Sequence, residues 1–573
     1  MNGDLNLIGR VSTHNWSGLA LAALLLASPL AAQQTGETKL QQARQALTGT
    51  QKDAAKARKL LLEIIADDQA TLWPGSLCYV YVYLGYIEDR EEHREQAIAW
   101  YKKALEVRDS DPVVECARLG LDKPMTWIRH LDENTPAKAQ AGVSRAPVQI
   151  GKGYVTTGDP PRGLVRATTL TAKERRDNFD FLCDAIDKTY ACFELKSIDW
   201  PAVRQRYERQ LDKVETAEEF YRLLFRLVNE LKDTHSWLQD YRPVLGQRPE
   251  LAVDLFEGRP FVTGVAANSD VARAGVEPGA EILAVDGLTF AARVEQLRLS
   301  LPACSSERAF QRAACQALLL GESGSTVTVK LRSPDGQSAT VPLKRIANPI
   351  PRSARAAPCE LTRQRFVHFA RLPSGLGYIC IESFDGREEI ADEFDRALEE
   401  LRSAPGLILD VRDNSGGFGS AQSRMVGRFL KERTLVCVSY IKNGPGHQDL
   451  RRHETFFEPS GPWQYAGPVA LLINDVTGSA SDLFVCYLRS AGRVVTIGST
   501  THGNLSGVAA HAVLPCGLVV RISNGYITDA SGKPIEGNGT KPQIAVALTI
   551  SDFLKHRDPI LEKAVEVLKE KRG

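Results

Sequence analysis

From Gly375 onward the sequence alternates between short apolar strand patterns and amphipathic helix patterns. This alternation is typical of parallel strands joined by crossover helices, which cover the faces of one sheet. It predicts strands at 378–381, 407–411, 435–440 and 468–473, and helices at about 389–403, 420–430 and 479–489. The chain is therefore expected to contain an α/β domain with a mainly parallel sheet, in which active sites lie at the strand ends.

Ser479 lies where the last of these strands meets its helix, in the stretch Leu471-Leu-Ile-Asn-Asp-Val-Thr-Gly-Ser-Ala-Ser-Asp-Leu-Phe484. Free backbone N–H groups and the positive end of a helix surround a residue at such a junction. Attack of a serine on a carbonyl carbon needs that environment, because the alkoxide and the tetrahedral intermediate are both anions. The alternative is that Ser479 only caps the helix. A conventional lipase is disfavoured, since the turn lacks the second glycine of G-x-S-x-G.

A chain of 573 residues is too long for one hydrophobic core, so three or four domains are expected. The net charge is +1, which gives no electrostatic reason to expect nucleic acid or an anionic membrane surface as a partner. Residues 1–32 contain the apolar run Leu19–Ala27 followed by small residues, which predicts a secretory signal peptide cleaved near Ala32. We therefore expect a periplasmic or secreted protein with no integral membrane segment after cleavage. An uncleaved anchor is the alternative.

The eleven cysteines include no pair at a C-x-x-C metal spacing, so no metal site is predicted. Cys304 and Cys315 flank one short segment and are candidates for a disulfide in an oxidising compartment. Cys380, Cys437 and Cys486 lie in apolar patterns, which predicts buried thiols.

The N-terminal half is expected to be largely helical. Residues 34–125 resemble a pair of tetratricopeptide-type helices, which favours either a partner-binding or self-associating arm or a helical support. Residues 126–168 are rich in Pro, Gly, Ala and Thr and are predicted to be a linker. Residues 169–245 form a helical block, because Thr171–Glu174 and Thr216–Glu219 fit the capping box and an apolar helical stripe follows the second box.

Residues 246–345 change to strand periodicity and resemble a PDZ domain. The resemblance rests on Arg259-Pro-Phe-Val-Thr-Gly-Val265 and on Ala272-Arg-Ala-Gly-Val-Glu-Pro-Gly-Ala-Glu-Ile-Leu-Ala-Val-Asp-Gly287. It implies an extended peptide bound by strand addition, and the alternative is a spacer that binds no peptide. Further strands are predicted at 326–331 and 339–343, with a helical stretch at about 288–320 between them.

Three motifs in residues 346–573, the predicted peptidase core, resemble the C-terminal-processing (tail-specific) serine peptidase family. They are Leu409-Asp-Val-Arg-Asp-Asn-Ser-Gly-Gly417, Thr477-Gly-Ser-Ala-Ser-Asp482 and Ile535-Glu-Gly-Asn-Gly-Thr-Lys-Pro542. The resemblance covers roughly residues 170–550. It implies that Ser479 is the nucleophile and that Gly416, Gly417 and Ala480 form the oxyanion hole.

One position separates this chain from the better-known branch of that family. The branch uses a Ser/Lys dyad, and Asn504 stands where its lysine is expected. Asparagine cannot accept a proton at useful pH. The chain instead resembles the tricorn core, which implies His235 as the general base and Glu536 as the residue that orients it. Thr234 replaces the serine that precedes the histidine in tricorn.

Other assignments stay open at this point. His235 continues an apolar stripe and is a structural histidine in the alternative interpretation. His502 is the second candidate base, and Asp233 the second candidate to orient His235.

The sequence therefore predicts a serine peptidase that cleaves peptide or protein substrates and needs no metal or organic cofactor. A binding protein for a peptide or a lipid on the same scaffold is the first alternative, because retinoid-binding relatives belong to the resemblance. An adaptor whose tetratricopeptide-like and PDZ-like parts bind partners is the second.

Overall fold

The computed structural model describes residues 53–66, 76–107, 153–157, 164–239, 246–346, 357–507 and 509–570, with single positions between 39 and 47 and at 117, 121, 124, 241 and 243. The predicted signal peptide lies outside these residues. The chain divides into two compact units, one of residues 1–145 with 161–163 and one of residues 146–160 with 164–573. Within the described part of the chain, no helix has the length and apolar character needed to cross a membrane.

The helices described in the first unit agree with the helical prediction for this part of the chain. The unit contains α1 (Ala54–Ala66), α2 (Ser76–Arg90) and α3 (Arg94–Val107). Tyr81 of α2 stacks on Trp100 of α3 with 5.9 Å between ring centroids, so aromatic contacts join the predicted helix pair. The tetratricopeptide-like assignment stays a prediction.

The second unit begins with an element that the sequence analysis places in a linker. Strand β1 (Tyr154–Thr156) pairs antiparallel with Ala509–Val513. The predicted linker is therefore wrong over these residues. The physical reason is that Tyr, Val and Thr favour extended backbone, and the neighbouring strand offers an open edge for pairing.

The helical block contains α4 (Ala172–Thr189), α5 (Phe193–Lys196), α6 (Trp200–Leu211) and α7 (Ala217–Asn229). Both predicted capping boxes are present, at the starts of α4 and α7. The apolar stripe of α7 is buried, and the chain leaves the helix through Lys232 at φ 48°. This turn directs the next residues, Asp233 to Ser236, toward β2 (Trp237–Leu238).

Residues 246–346 form a β-rich segment with helices between its strands. Its elements are β3 (Leu251–Phe256), β4 (Arg259–Val265), α8 (Asp270–Arg273), β5 (Glu281–Val285), β6 (Leu288–Thr289), α9 (Phe290–Leu297), α10 (Glu307–Gln316), β7 (Thr326–Arg332) and β8 (Ser338–Lys344). The sheet order is β3-β4-β5-β7-β8, with β6 paired to β5, so β3 lies at an edge. The strands and the helical insertion lie where the sequence predicts them, and the PDZ-like assignment stays a prediction.

The remaining elements belong mostly to the α/β core. They are β9 (Thr362–Arg363), β10 (Val367–Arg371), β11 (Gly377–Ile381), α11 (Arg387–Glu400), β12 (Leu407–Asp410), α12 (Gln422–Gly427), β13 (Thr434–Lys442), β14 (Leu450–Phe457), β15 (Val469–Ile473), α13 (Ala480–Ser490), β16 (Val495–Gly498), β17 (Ala509–Val513), β18 (Val519–Ser523), β19 (Gly525–Thr528), β20 (Ile544–Ala545), α14 (Ile550–Leu554) and α15 (Pro559–Glu570).

The central sheet has the order β20-β16-β15-β12-β11-β10-β9, and its members from β20 to β11 run parallel. Alternate residues of β12 enter two different cores. Leu407 and Leu409 pack with α11 and α13, whereas Ile408 packs with α15. Helices therefore cover both faces, which confirms the predicted mixed α/β core with a mainly parallel sheet.

Strand β13, one of the strands predicted in this mainly parallel region, lies outside the parallel sheet. It pairs antiparallel with β14 on one side and β19 on the other. The connection from β13 to β14 covers only residues 443–449, which suits a hairpin and is too short for a crossover helix.

None of the nine cysteines that the structure describes is in a disulfide, and Cys304 and Cys315 are among them. The candidate disulfide between these two residues is therefore wrong. Cys315 is buried in the core under the β-rich sheet, whereas Cys304 packs with α9 and α10 around Phe310.

Candidate active site

Ser479 occupies a strained turn between β15 and α13. Its backbone has φ 52° and ψ −120°, a region that residues with a side chain rarely adopt. It stands at the N-cap position of α13, but its side chain makes no capping hydrogen bond. The alternative in which the Ser479 side chain only caps the helix is therefore wrong.

The hydroxyl of Ser479 lies against His235. The distance from Ser479 Oγ to His235 Nε2 is 3.3 Å, and the two residues are 244 positions apart in the chain. Burial lowers the pKa of His235 to about 4, against the opposing charge of Asp233. The imidazole is therefore neutral near pH 7 and can accept a proton.

The other ring nitrogen of His235 faces a serine that the sequence analysis does not identify. His235 Nδ1 lies 3.3 Å from Ser506 Oγ, and Ser506 Oγ donates to Asp233 Oδ1 over 2.8 Å. The same Asp233 oxygen accepts the backbone N–H of His235 over 2.8 Å. The imidazole is thus linked to a carboxylate through one hydroxyl and is also fixed at its own backbone.

Asp233 is ionised although it is buried. Burial acts to raise its pKa, but Lys196, His235 and the hydrogen bonds from His235 N–H and Ser506 outweigh that effect and lower the pKa below its usual range. Its second oxygen accepts a hydrogen bond from Ser236 Oγ over 3.1 Å. The carboxylate therefore has a fixed orientation.

Glu536 is buried and pairs with Lys196 rather than with His235. Its Oε1 accepts a hydrogen bond from Lys196 Nζ over 2.5 Å, and its pKa is raised to about 7 chiefly by burial. The expected direct contact with His235 is therefore corrected, because Ser506 occupies the position facing His235 Nδ1. A fully buried carboxylate needs a cation as its partner, and Lys196 supplies that cation.

His502 and Thr234 contact each other at the edge of the site. His502 Nε2 lies 3.4 Å from Thr234 Oγ1, and burial lowers the pKa of His502 to about 4. Thr234 Oγ1 also accepts the N–H of Ser305 over 2.9 Å. Of the two candidate bases, the one in contact with the Ser479 hydroxyl is His235.

Asn504, which stands where the lysine of the Ser/Lys branch is expected, binds the backbone of Ser479. Its side-chain oxygen accepts the N–H of Ser479 over 2.6 Å, and its own N–H donates to Asp482 Oδ2 over 3.3 Å. Gly503 N–H donates to the same Asp482 oxygen over 2.8 Å. The loop thus holds the backbone of Ser479 from outside the turn.

Gly416 approaches the Ser479 turn closely, whereas Gly417 lies against the backbone of Phe384 and Asp385. A Cβ on Gly416 would lie 2.7 Å from Ser479 Cβ, and both glycines have positive φ, at 115° and 133°. The N–H of Gly416 donates to Asn414 Oδ1 over 2.9 Å. Gly416 therefore provides the close approach, while its amide is already committed to Asn414.

Two residues of this site were missed by the sequence analysis. Ser506 and Lys196 stand in no motif, and each meets its partner only through the tertiary fold, at separations of 273 and 340 positions. For Lys196, the one indication in the sequence is its place in the helical block before Asp233-Thr-His235. That signal is too weak to identify it alone.

Comparison with known proteins gives consistent results. The model of peptidase family S41 matches residues 375–546, and the tricorn protease C1 domain matches residues 171–229. Tricorn protease homologs 1 and 2 of Streptomyces coelicolor are 24% and 26% identical over 70% and 74% of this chain. The chain spans about a third of the length of these two relatives, 36% and 34% respectively.

Two further comparisons cover most of the other protein. The carboxy-terminal processing protease CtpB of Bacillus subtilis is 22% identical over 68% of this chain and 72% of its own length. The crystal structure of mature CPAF superposes with a TM-score of 0.57 at 16% identity, covering 70% of this chain and 97% of that one. The latter similarity concerns the fold alone. Residues 375–546 of this chain are thus a peptidase family S41 domain, and they follow a tricorn protease C1 domain at residues 171–229.

Proposed function

We propose that this protein is a periplasmic or secreted serine peptidase that cleaves peptide bonds with Ser479 as nucleophile and His235 as general base. The observation that carries the proposal is the 3.3 Å contact between Ser479 Oγ and His235 Nε2 at a strained turn. The peptidases of family S41 are serine-type hydrolases, which supports this chemistry.

In the first step, His235 Nε2 accepts the proton of the Ser479 hydroxyl while Oγ forms a bond to the substrate carbonyl carbon. The C–N bond then breaks, and the same proton passes from His235 to the leaving amine. A water molecule, activated by His235 in the same way, hydrolyses the resulting ester. Asp233 stabilises the imidazolium in both halves of the reaction, through Ser506 and through the His235 backbone.

We assign the oxyanion donors to the amides of Gly417 and Ala480. Ala480 is the first residue of α13, so its N–H has no acceptor within the helix, and the helix dipole favours negative charge there. Gly416 contributes space rather than a donor, since its amide binds Asn414.

We further propose that the β-rich segment is a PDZ-like module that binds the substrate as an extended strand. Its edge strand β3 and helix α10 lie side by side, which is the arrangement that strand addition requires. The tetratricopeptide-like helices of the first unit would recruit a protein partner or a second copy of the chain.

The test is mass spectrometry of a diverse peptide mixture incubated with mature protein. We expect cleavage by the wild type, and loss of at least about 10³-fold in rate for Ser479→Ala and for His235→Ala, because each removes a group that handles the reacting proton or carbon. Matched controls are Ser338→Ala and His453→Ala, both at exposed positions, which should cleave as the wild type does.

Cleavage by folded Ser479→Ala at the wild-type rate would overturn the proposal. If His235→Ala retained activity, the base would be His502 instead. If folded wild type left every peptide intact, a binding protein on the same scaffold would become the better explanation.

A further inference from the structure

Lys196 is a buried cation beneath the proposed catalytic residues. Its side chain is only 8% exposed, at the end of the short helix α5. The ammonium donates to Glu536 Oε1 over 2.5 Å and to the backbone carbonyl of Lys232 over 2.6 Å. It therefore holds the residue that immediately precedes Asp233 as well as the buried glutamate.

Two buried carboxyl groups lie near this single ammonium group. Asp233 and Glu536 are both buried carboxyl groups, and Lys196 is the cation that acts on each of them. Two adjacent buried carboxylates repel each other, and the charge of Lys196 offsets that repulsion. With Lys196 present, the cluster carries one net negative charge when both carboxyl groups are ionised. That charge is neutralised when His235 accepts the proton of Ser479.

The other groups that face this cluster do not supply a substitute. Tyr190 and Cys192 are buried, and burial raises the pKa of each well above its usual value, so both are neutral. Arg521 is a further cation whose charge acts on Asp233 and His235, but its guanidinium donates to the backbone carbonyl of His235 and lies over the Trp237 ring rather than pairing with Glu536.

We propose that Lys196 is a positioning residue of the catalytic site: by pairing with Glu536 and fixing the Lys232 carbonyl, it holds Asp233 in place to orient His235 through Ser506 and sets the net charge around the imidazole. This role rests on the proposed peptidase function. Lys196 does not touch the reacting atoms, and it acts on the proton acceptor through Asp233 and Glu536.

The proposed role of Lys196 predicts the direction in which the pKa of His235 changes when the lysine is replaced. The positive charge of Lys196 acts to lower the pKa of His235, so replacing it with a neutral side chain should raise that pKa. A general base works only in its neutral form, so the acid limb of the kcat/KM profile should move to higher pH in Lys196→Met. We expect a shift of about one pH unit and a fall in kcat at the pH optimum of about tenfold or more.

The measurement compares the pH dependence of peptide cleavage in the wild type, Lys196→Met and Lys196→Arg. Lys196→Arg keeps the charge and should return the acid limb toward the wild-type position. Lys188→Met serves as the control, because Lys188 is exposed at the end of α4 in the same helical block. An acid limb in Lys196→Met that coincides with that of the wild type would refute the positioning role.

A second readout does not depend on turnover. NMR titration of the histidine ring signals should show a higher pKa for His235 in Lys196→Met than in the wild type, whereas Lys188→Met should leave the pKa of His235 at the wild-type value. If the wild type cleaved no peptide, the peptidase proposal would fail while this titration still decided the role of Lys196. An unchanged His235 pKa would refute that role even if cleavage were normal.

Lys196→Met leaves the buried Glu536 without its cation, so a second comparison covers failure of this variant to fold. In that case, the double variant Lys196→Met/Glu536→Gln is compared with Glu536→Gln alone, which differs from it only by the cation. A higher His235 pKa in the double variant supports the proposal, and equal values contradict it.

Discussion

The backbone of Ser479 has a conformation that is unfavourable for a residue with a side chain. A side chain at φ 52° and ψ −120° costs on the order of 1–3 kcal/mol, which the surrounding contacts must offset. Those contacts are the Asn504 side chain on the Ser479 N–H and the close approach of Gly416. In this conformation the Ser479 hydroxyl makes no capping hydrogen bond and lies 3.3 Å from His235 Nε2.

Replacing Ser479 with glycine should therefore stabilise the protein. Glycine adopts this conformation without steric cost, so Ser479→Gly is expected to gain about 1 kcal/mol in the free energy of unfolding. Ser479→Ala is the matched control, since it removes the hydroxyl but keeps the Cβ and its strain. Urea unfolding of the two variants measures the difference, and equal stability would show that the strain is relieved in solution.

At the scale of elements, helix α10 is the connection between the β-rich segment and the turn of Ser479. Arg312 on α10 forms ion pairs with Asp254 of β3 and with Asp475, which lies four residues before Ser479. The Arg312 side chain is 15% exposed, and those of the two aspartates are 1% and 12% exposed. These pairs therefore hold the loop before the nucleophile against a different part of the fold.

Arg312→Met should consequently destabilise the second unit by about 3–5 kcal/mol, because two largely buried carboxylates would lose their guanidinium partner. Arg332→Met is the control. Arg332 lies in the same segment, its side chain is 50% exposed, and its 3.4 Å pair with Glu281 is expected to contribute at most about 1 kcal/mol. The midpoints of urea unfolding give the comparison, and similar losses for both variants would exclude a special role for α10.

Sequence patterns predict individual helices and strands, but they do not predict which strands pair with each other. Capping boxes and apolar periodicity act within one segment, so the helices α4 and α7 and the strand β15 were predictable from local sequence. The partner of a strand is a tertiary property, and neither the pairing of β1 with β17 nor the separate sheet of β13 has a local signal. The same limit applies to Ser506 and Lys196, whereas Ser479 and His235 belong to motifs.

At the scale of the whole molecule, every residue assigned to the proposed site belongs to the second unit. The first unit, residues 1–145 with 161–163, contributes none of them. We therefore expect a protein that lacks residues 34–145 to cleave short peptides with an unchanged kcat/KM, since domains with their own cores fold separately. Peptide cleavage assays on the shortened and full-length proteins test this. Loss of all activity would favour the adaptor interpretation.

The distances along the chain between the site residues have a consequence for synthesis. Lys196 and Glu536 are separated by 340 positions, so Glu536 is added to the growing chain about 20–70 s after Lys196 at typical translation rates of 5–20 residues per second. Until then Lys196 cannot pair with Glu536. In the same way, His235 cannot contact Ser479 until a further 244 residues have been added. A ribosome-bound chain that ends before residue 479 therefore lacks the proposed nucleophile altogether, and the proposed peptidase cannot digest its neighbours until the residues through Glu536 have been translated.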